Sequence, residues 1–426
     1  MFGLTLRSML SRKLSLALTI ATLALSVALF LTIERLRISA RESFDGTISG
    51  VDVLVGSRGS DLGLLLYTVF QIGDASPSMR WDSFLDVQKD DRVEWAVPIS
   101  LGDSHRGYRV IATTADYFDH VRIGRGRLLA FKEKDEALLN GFGVVLGSEV
   151  ARNLKYTLGA PLAVQHGLAS AGDESHKAQP FIVTGILQPT GTPVDYSLFV
   201  HIRAFEAIHE GWNGSVPGAA VERHTDVTDR TAIDLSGPAF EPSLLTAVYV
   251  GLKSKRRIFQ FVEDIEDRDR TEPLTGVLPG ITLSQLWLLV SSAENALLIF
   301  SVLIVIVALA GQMTLLVATL DLRRREIAIY RAMGAQPTTI AALLVVEAAF
   351  ISVAAAICGV VLTLGGTWIA SQVLGAFLKL DLNAIMLMPS QMQALAAFVG
   401  VSVVTGLVPA VLAYRSSLQD GMRSRY

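Results

Sequence analysis

The stretch Asp321-Leu-Arg-Arg-Arg-Glu-Ile-Ala-Ile-Tyr-Arg-Ala-Met-Gly-Ala335 decides how the rest of the chain is read. It separates two long apolar runs, Ala296–Leu320 and Ile340–Leu364. Each run exceeds the ~20 apolar residues that a membrane-crossing helix needs. Arg323, Arg324, Arg325 and Arg331 therefore fall at a membrane face, and an excess of Lys and Arg in a short loop marks the cytoplasmic one. Within the stretch, Ile327, Tyr330 and Gly334 recur at i, i+3 and i+7, which predicts a small helix. Gly334, with Pro337 soon after, supplies its stop. A basic helix held at the cytosolic face between two spans is suited to gripping a soluble partner.

Working outward, two further segments have the length and apolarity of spans. Leu14–Ile33 carries no charge, and Met392–Ala413 has Pro409 near its end. The expected spans are thus 14–33, 296–320, 340–364 and 392–413, with a cytosolic segment at 321–338. Arg7, Arg12 and Lys13 precede the first span, and Arg415, Arg423 and Arg425 follow the last. Both ends and the 321–338 segment then face the cytosol, which satisfies the charge asymmetry of every short loop. The first span is too long for the apolar core of a signal peptide and ends at Leu31-Thr-Ile-Glu-Arg35 without a small-residue cleavage site, so it reads as a retained anchor. Residues 1–13 place Phe2, Leu6, Met9 and Leu10 on one helical face, as an amphipathic elbow on membrane lipid would. Residues 414–426 are expected to form a cytosolic tail.

This topology leaves residues 34–289 outside, enough for one or two folded domains. The composition agrees with a mixed architecture: 51% of residues are hydrophobic and 18% charged, with mean hydropathy +0.44. The external region reads as mixed α/β. Ser49–Gly56, Trp95–Ile99, Tyr108–Ala112, Gly143–Leu146, Phe181–Leu187 and Ala247–Leu252 are short apolar runs bounded by Gly, Pro or charge, the pattern of strands. Ser148–Lys155 reads as a helix capped by Ser148, and Ile202–His209 as another. The polar stretches 167–179 and 211–231 are expected to be exposed loops. The single cysteine, Cys358, lies in the third span and leaves the external region without a disulfide of its own.

Sites for chemistry are few. No Gly-x-x-x-x-Gly-Lys-Ser/Thr occurs, so the sequence has no phosphate-cradling loop. The seven histidines are scattered, and His166, His176, His201, His209 and His224 show no i, i+4 pairing suited to zinc. Ser57, Ser60 and Asp61, beside Gly56 and Gly59, read as a turn after a strand and not as a nucleophile elbow. The net charge is −3, and no basic array with interleaved aromatics points to nucleic acid. Glu347 is the ionisable residue well inside a span; structural pairing, relay of a stroke and ion transfer all remain open for it. Small residues four apart recur in the last two spans: Ala355 and Gly359, Ala396 and Gly400, Ser402 and Gly406. Such pairs let helices approach closely.

Glu326-Ile-Ala-Ile-Tyr-Arg-Ala-Met-Gly-Ala335, followed by Glu347 in the next span, resembles the signature of the FtsX/MacB/LolE-type ABC transporter permeases. Gly406-Leu-Val-Pro-Ala-Val-Leu-Ala-Tyr-Arg415 is similar to that family's last helix. In the external region, Tyr117-Phe-Asp-His-Val-Arg-Ile-Gly-Arg-Gly-Arg127, Val144-Val-Leu-Gly-Ser-Glu-Val-Ala151 and Phe181-Ile-Val-Thr-Gly-Ile-Leu187 resemble the periplasmic domain of MacB-type permeases.

The resemblance implies an α-helical membrane protein with four transmembrane helices and a large mixed α/β periplasmic domain inserted between the first and second. A distal, β-rich part of that domain would cover about 113–240. It implies contact with an ATPase through Glu326, Ile327, Tyr330, Arg331, Met333, Gly334 and Ala335. It further implies a homodimer bound to two ATPase subunits, with ATP and Mg held by those subunits, no cofactor or metal on this chain, and no catalysis by it. The location would be the inner membrane, and partners would include a periplasmic adaptor or cargo protein. Movement would be transmitted to export or extract a periplasmic or lipid-linked substrate. The alternative is a non-transporting signalling subunit that activates an envelope enzyme.

Overall fold

The computed structural model describes residues 13–124, 126–136, 138–166, 181–209, 231, 233–267, 272–322, 324–378 and 387–422. The expected elbow therefore lies outside the described residues except for Lys13, as do the whole of the 167–179 loop and the 211–231 loop up to Thr231. The chain divides into two compact units. A helical unit comprises Met1–Ser39, Val290–Gly375 and Leu382–Tyr426, and a sheet unit comprises Ala40–Leu289 and Ala376–Asp381.

Long helices run over Lys13–Thr47, Pro279–Leu322, Pro337–Leu378 and Pro389–Met422. Among the described residues, these four are long and apolar enough to cross a membrane. The second, third and fourth each open on proline, whose fixed φ and missing N–H suit a first helical turn. In the helical unit, Leu23, Val27 and Leu31 of the first helix pack with Ala308, Leu309 and Leu316 of the second, Ala348, Ile351 and Ala355 of the third, and Phe398 of the fourth. Small residues set the spacing. A Cβ at Gly359 would stand 2.7 Å from Val27 Cγ1 and 3.0 Å from the Ala24 carbonyl oxygen, and one at Gly406 would stand 2.5 Å from Ala348 Cβ. Without hydrophobic drive between helices in lipid, such close approach maximises dispersion contact.

The sheet unit is built on a mixed sheet of 11 strands among the described residues. Its first half takes strands from both ends of the external segment. Leu274–Val277, Val53–Ser57 and Ala247–Leu252 lie side by side, followed by the long strand Val93–His105. That strand continues into the second half, where Tyr108–Thr113, Ser197–His201, Gly143–Leu146, Phe181–Leu187 and Phe131–Lys134 follow in order. Two strand pairs are parallel, 197–201 with 108–113 and 181–187 with 143–146, and each is joined through intervening chain.

The sheet is covered on both faces, which explains why its strands read as near-continuous apolar runs. Alternate residues separate cleanly. Val53, Val55, Val144, Leu146, Leu198, Val200, Val248 and Val250 belong to one core. Leu54, Val145, Phe199, Ala247 and Tyr249 belong to the other. Helices Trp81–Gln88, Ser148–Leu154, Ile202–His209 and Ile258–Asp267 supply Phe84, Val150, Phe205 and Phe261 to the first core. Helices Asp61–Phe70 and Asp116–His120 supply Leu65, Phe70, Tyr117 and Phe118 to the second. The edge strand Phe131–Lys134 carries Lys132, Glu133 and Lys134, charges that discourage edge-to-edge pairing.

Three local readings differ from the structure. The turn expected after Gly56 opens into helix Asp61–Phe70, where Ser60 caps by accepting a hydrogen bond from the Gly63 N–H at 3.1 Å. The strand expected at Trp95–Ile99 extends to Val93–His105, because one strand must bridge both halves of the sheet. The cap of Ser148–Leu154 is Gly147 and not Ser148. A Cβ at Gly147 would stand 2.4 Å from the carbonyl oxygens of both Val194 and Asp195, so the backbone there tolerates no side chain.

Candidate functional site

The segment between the second and third long helices folds as helix Arg324–Ala332. It ends in a Schellman motif: the Gly334 N–H donates to the Arg331 carbonyl at 2.9 Å and the Ala335 N–H to the Tyr330 carbonyl at 3.0 Å. Gly334 has φ of +94°, the left-handed conformation this cap demands. The chain turns at once into the next helix, where the Gln336 carbonyl accepts from the Thr339 N–H and Pro337 takes the opening position. The turn is therefore set by backbone geometry and leaves no slack between the short helix and the third span.

Its faces differ. Ile327 packs against Ile340 and Leu344 of the third long helix and Ala410 and Ala413 of the fourth. Tyr330, Arg331 and Ala335 are half-buried. Ile329 and Met333 lie four apart on the exposed side, at 52% and 69% exposure. Of the residues singled out in the sequence, Glu326, Ile327, Tyr330 and Arg331 lie in this helix, while Met333, Gly334 and Ala335 lie in the turn that closes it. Ile327 turns inward, whereas Ile329 and Met333 form the exposed apolar pair. The sequence reading passed over Ile329, although its i, i+4 spacing to Met333 was the available signal.

Glu347 lies in the third long helix and is buried, at 5% exposure. The sequence reading also passed over Gln312, which is 1% exposed in the second helix. Its Nε2 donates to the Ala348 carbonyl at 3.4 Å, and its Oε1 accepts from the Ser402 hydroxyl at 2.8 Å. Nearer the other end of the bundle, Gln391 Nε2 donates to the Leu31 carbonyl at 3.2 Å and Thr363 Oγ1 to the Ala28 carbonyl at 3.4 Å. Two of the small-residue pairs sit at contacts: Ala355 is buried and Gly359 faces the first helix, while Ser402 and Gly406 face the second and third. Ala396 and Gly400 are exposed, with open space beside Gly400.

In the sheet unit, the polar groups that burial perturbs are structural. His105 is held between the Ala163 carbonyl, at 2.6 Å from Nδ1, and the Tyr156 hydroxyl, at 3.0 Å from Nε2. Donation from Nδ1 to the carbonyl makes Nε2 the acceptor of the tyrosine proton. Burial holds the His105 pKa below its ordinary value, against the pull of that carbonyl. His201 is likewise lowered by burial and by Arg203, and its Nδ1 accepts from the Arg203 N–H at 3.2 Å. Burial pushes the Asp195 carboxyl up, against the opposing N–H donors of Thr190 and Gly191. Among the described residues, no three His, Cys, Asp or Glu side chains converge as metal ligands would.

These features define a membrane protein with a folded α/β unit between its first two spans and a capped helix between its second and third. A model of the MacB-like periplasmic core domain matches residues 16–268, and a model of the FtsX-like permease C-terminal region matches residues 298–418. The chain belongs to the FtsX/MacB-type family of ABC transporter permeases. It is thus a membrane subunit of an ABC-type transporter, of a kind that works with an ABC ATPase.

Among solved structures, the chain is similar to the periplasmic region of MacB from Actinobacillus actinomycetemcomitans. Identity is 10%, the TM-score is 0.33, and the match covers 56% of this chain and 94% of that one. It is also similar to the extracellular domain of the noncanonic ABC-type transporter YknZ from Gram-positive bacteria. There identity is 13%, the TM-score is 0.29, and the match covers 53% of this chain and 98% of that one. No curated protein matches the chain.

Proposed function

We propose that the chain transmits force and does not conduct cargo: ATP-driven closure of two cytosolic ATPase subunits moves the sheet unit on the periplasmic side of the inner membrane. Two copies pair, and both termini face the cytosol. Each copy offers helix 324–332 and the turn to Ala335 as the ATPase contact, with ATP and Mg held by the ATPase. The observation that carries this reading is the outward Ile329–Met333 face on a helix fixed to its neighbours by Ile327 and by the Gly334 cap. A partner gripping that face pushes on an element packed against the third and fourth helices.

The far ends of the first two long helices support the same reading, because their outer turns belong to the sheet unit. Phe44 stacks on Phe70 at 4.3 Å and meets Trp287 edge-on at 5.7 Å, and the Arg41 guanidinium lies 5.2 Å over the Trp287 ring. The cargo is a periplasmic or lipid-linked molecule, handled directly or with an adaptor protein. Co-purification with the ATPase, comparing the native chain with Ile329→Glu, tests the contact. The substitution is expected to abolish ATPase recovery while leaving the membrane protein folded, because Ile329 is 52% exposed and lies outside the apolar cluster that holds Ile327. Undiminished ATPase binding and coupled activity would rule this face out.

A further inference from the structure

We infer that Gln312 is a positioning residue, a polar clamp that makes the inner halves of the second, third and fourth helices move as one body. The inference rests on the force-transmission reading and deepens it by naming where the stroke is shared.

A glutamine amide within an apolar span has two donors and two acceptor lone pairs that no water satisfies. Gln312 is 1% exposed, so its partners must come from neighbouring helices. They do. Ser402 of the fourth helix donates to Oε1 at 2.8 Å, and Nε2 reaches the Ala348 carbonyl of the third at 3.4 Å. One side chain touches both helices because they are in near-backbone contact beside it: Gly406 leaves no room for a Cβ against Ala348. A larger residue at 406 would part the third and fourth helices and carry one partner away.

The clamp has a counterpart at the cytosolic end. The second helix leads into helix 324–332, and Ile327 of that helix packs on Ile340, Leu344, Ala410 and Ala413. The fourth helix therefore receives displacement at two places, through apolar contact at Ile327 and through hydrogen bonding at Gln312. An apolar contact alone permits sliding or rotation, because its energy depends little on register. A hydrogen bond of defined length and angle does not. Gln312 thus converts a push on the short helix into a concerted movement of three spans.

The test uses the full chain with its ATPase in lipid nanodiscs, in a Cys358→Ser background. Spin labels are introduced at Val307→Cys and Val404→Cys, exposed positions on the second and fourth helices, and in a separate sample at Leu128→Cys in each of the two copies. Expected for intact Gln312 is a narrow Val307–Val404 distance distribution that is the same with and without ATP. Expected for Gln312→Leu is a broadened, ATP-dependent distribution and loss of the ATP-driven change at Leu128, with the ATPase still bound and hydrolysing. Ser402→Ala removes one donor without altering the amide and is expected to broaden the distribution less. A distribution that stays narrow in Gln312→Leu overturns the inference; should that variant not assemble, a narrow distribution in Ser402→Ala does so. If the Leu128 distance never responds to ATP in the native chain, the force-transmission reading fails instead, while the Val307–Val404 result still decides the clamp.

Discussion

The sheet unit and the helical unit follow one hydrophobic rule in two solvents. In the sheet unit, large apolar side chains turn inward; Phe70, Phe142, Phe181, Phe199 and Phe261 are fully buried, and exposed ones such as Leu128 and Phe259 are few. In the helical unit large apolar side chains lie on both sides: Ile299, Phe300, Val307, Ile357, Trp368 and Val404 are exposed, while Leu23, Leu31, Leu309 and Ile351 are buried beside Ala308, Ala348, Ala355, Ser402 and Gln312. Water rewards burying apolar surface, whereas lipid is as apolar as leucine and offers no such reward. Cohesion in the helical unit therefore comes from closeness and from polar pairs.

Glycine sharpens this contrast, since both units use it for close approach but against different surfaces. The largest effect is expected at Gly147, where an added Cβ meets two carbonyl oxygens at 2.4 Å. Gly147→Ala should lower the stability of the sheet unit by about 3 kcal/mol or more, because backbone cannot yield as a side chain does. Thermal unfolding with limited proteolysis reads it, and an unchanged melting point would mean that the segment at Val194 and Asp195 moves freely.

Next in size is Gly359→Val, which sets a branched side chain against Val27 and the Ala24 carbonyl. It should cost about 1–3 kcal/mol of helix packing. Gly400→Ala, with open space around it, should be neutral or mildly stabilising, by up to about 1 kcal/mol of helix propensity. Denaturation in detergent checks the pair; equal effects at the two positions would remove the distinction between packed and lipid-facing glycines.

Gly334→Val is expected to act on association more than on stability. It places a β-branched residue at φ of +94°, at a cost of about 1–3 kcal/mol, and redirects the chain that closes the short helix. A Cβ built at position 334 would meet nothing within 4 Å, so the effect is conformational and not steric. Reduced recovery of the ATPase with an unchanged fold is the expected outcome. Recovery equal to the native level would show that the cap does not orient the contact.

The smallest effect is a dependence on pH confined to the sheet unit. His105 and His201 both have pKa values lowered by burial, so the unfolded chain takes up protons that the folded one refuses. Their contribution is present above the unfolded value of about 6.5 and is lost as pH falls through the folded values. Stability should therefore decline on acidification below that point, and His105→Gln should flatten the decline. A stability profile that rises through the same window would contradict the assignment.

Much of this was legible in the sequence. Four apolar runs announced the four long helices, because the bilayer imposes a length that chance composition rarely meets. Gly143–Leu146, Phe181–Leu187 and Ala247–Leu252 appear in the fold with the ends their composition marks, since strands buried on both faces are unbroken apolar runs. Helix Asp61–Phe70 was hidden, because its leading Gly and Ser read as a turn and its own apolar run is short. Ile329 was hidden for a different reason: Ile327 and Ile329 look alike in a short amphipathic segment, and only packing against Ile340 and Ala413 tells the inward one from the outward one.

By itself, the sequence determined the membrane character, the number of apolar spans, the placement of a mixed α/β region between the first two, and the basic capped segment between the second and third. Those properties depend on composition, periodicity and local backbone preference, which are written along the chain. The tertiary structure alone decided which glycines touch a neighbour, that Gly147 and not Ser148 occupies the cap, and that Gln312 meets Ser402 and Ala348. The glycine contacts and the Gln312 hydrogen bonds join residues far apart in the chain. Their distances are set by the packing of whole elements, and no local signal encodes them.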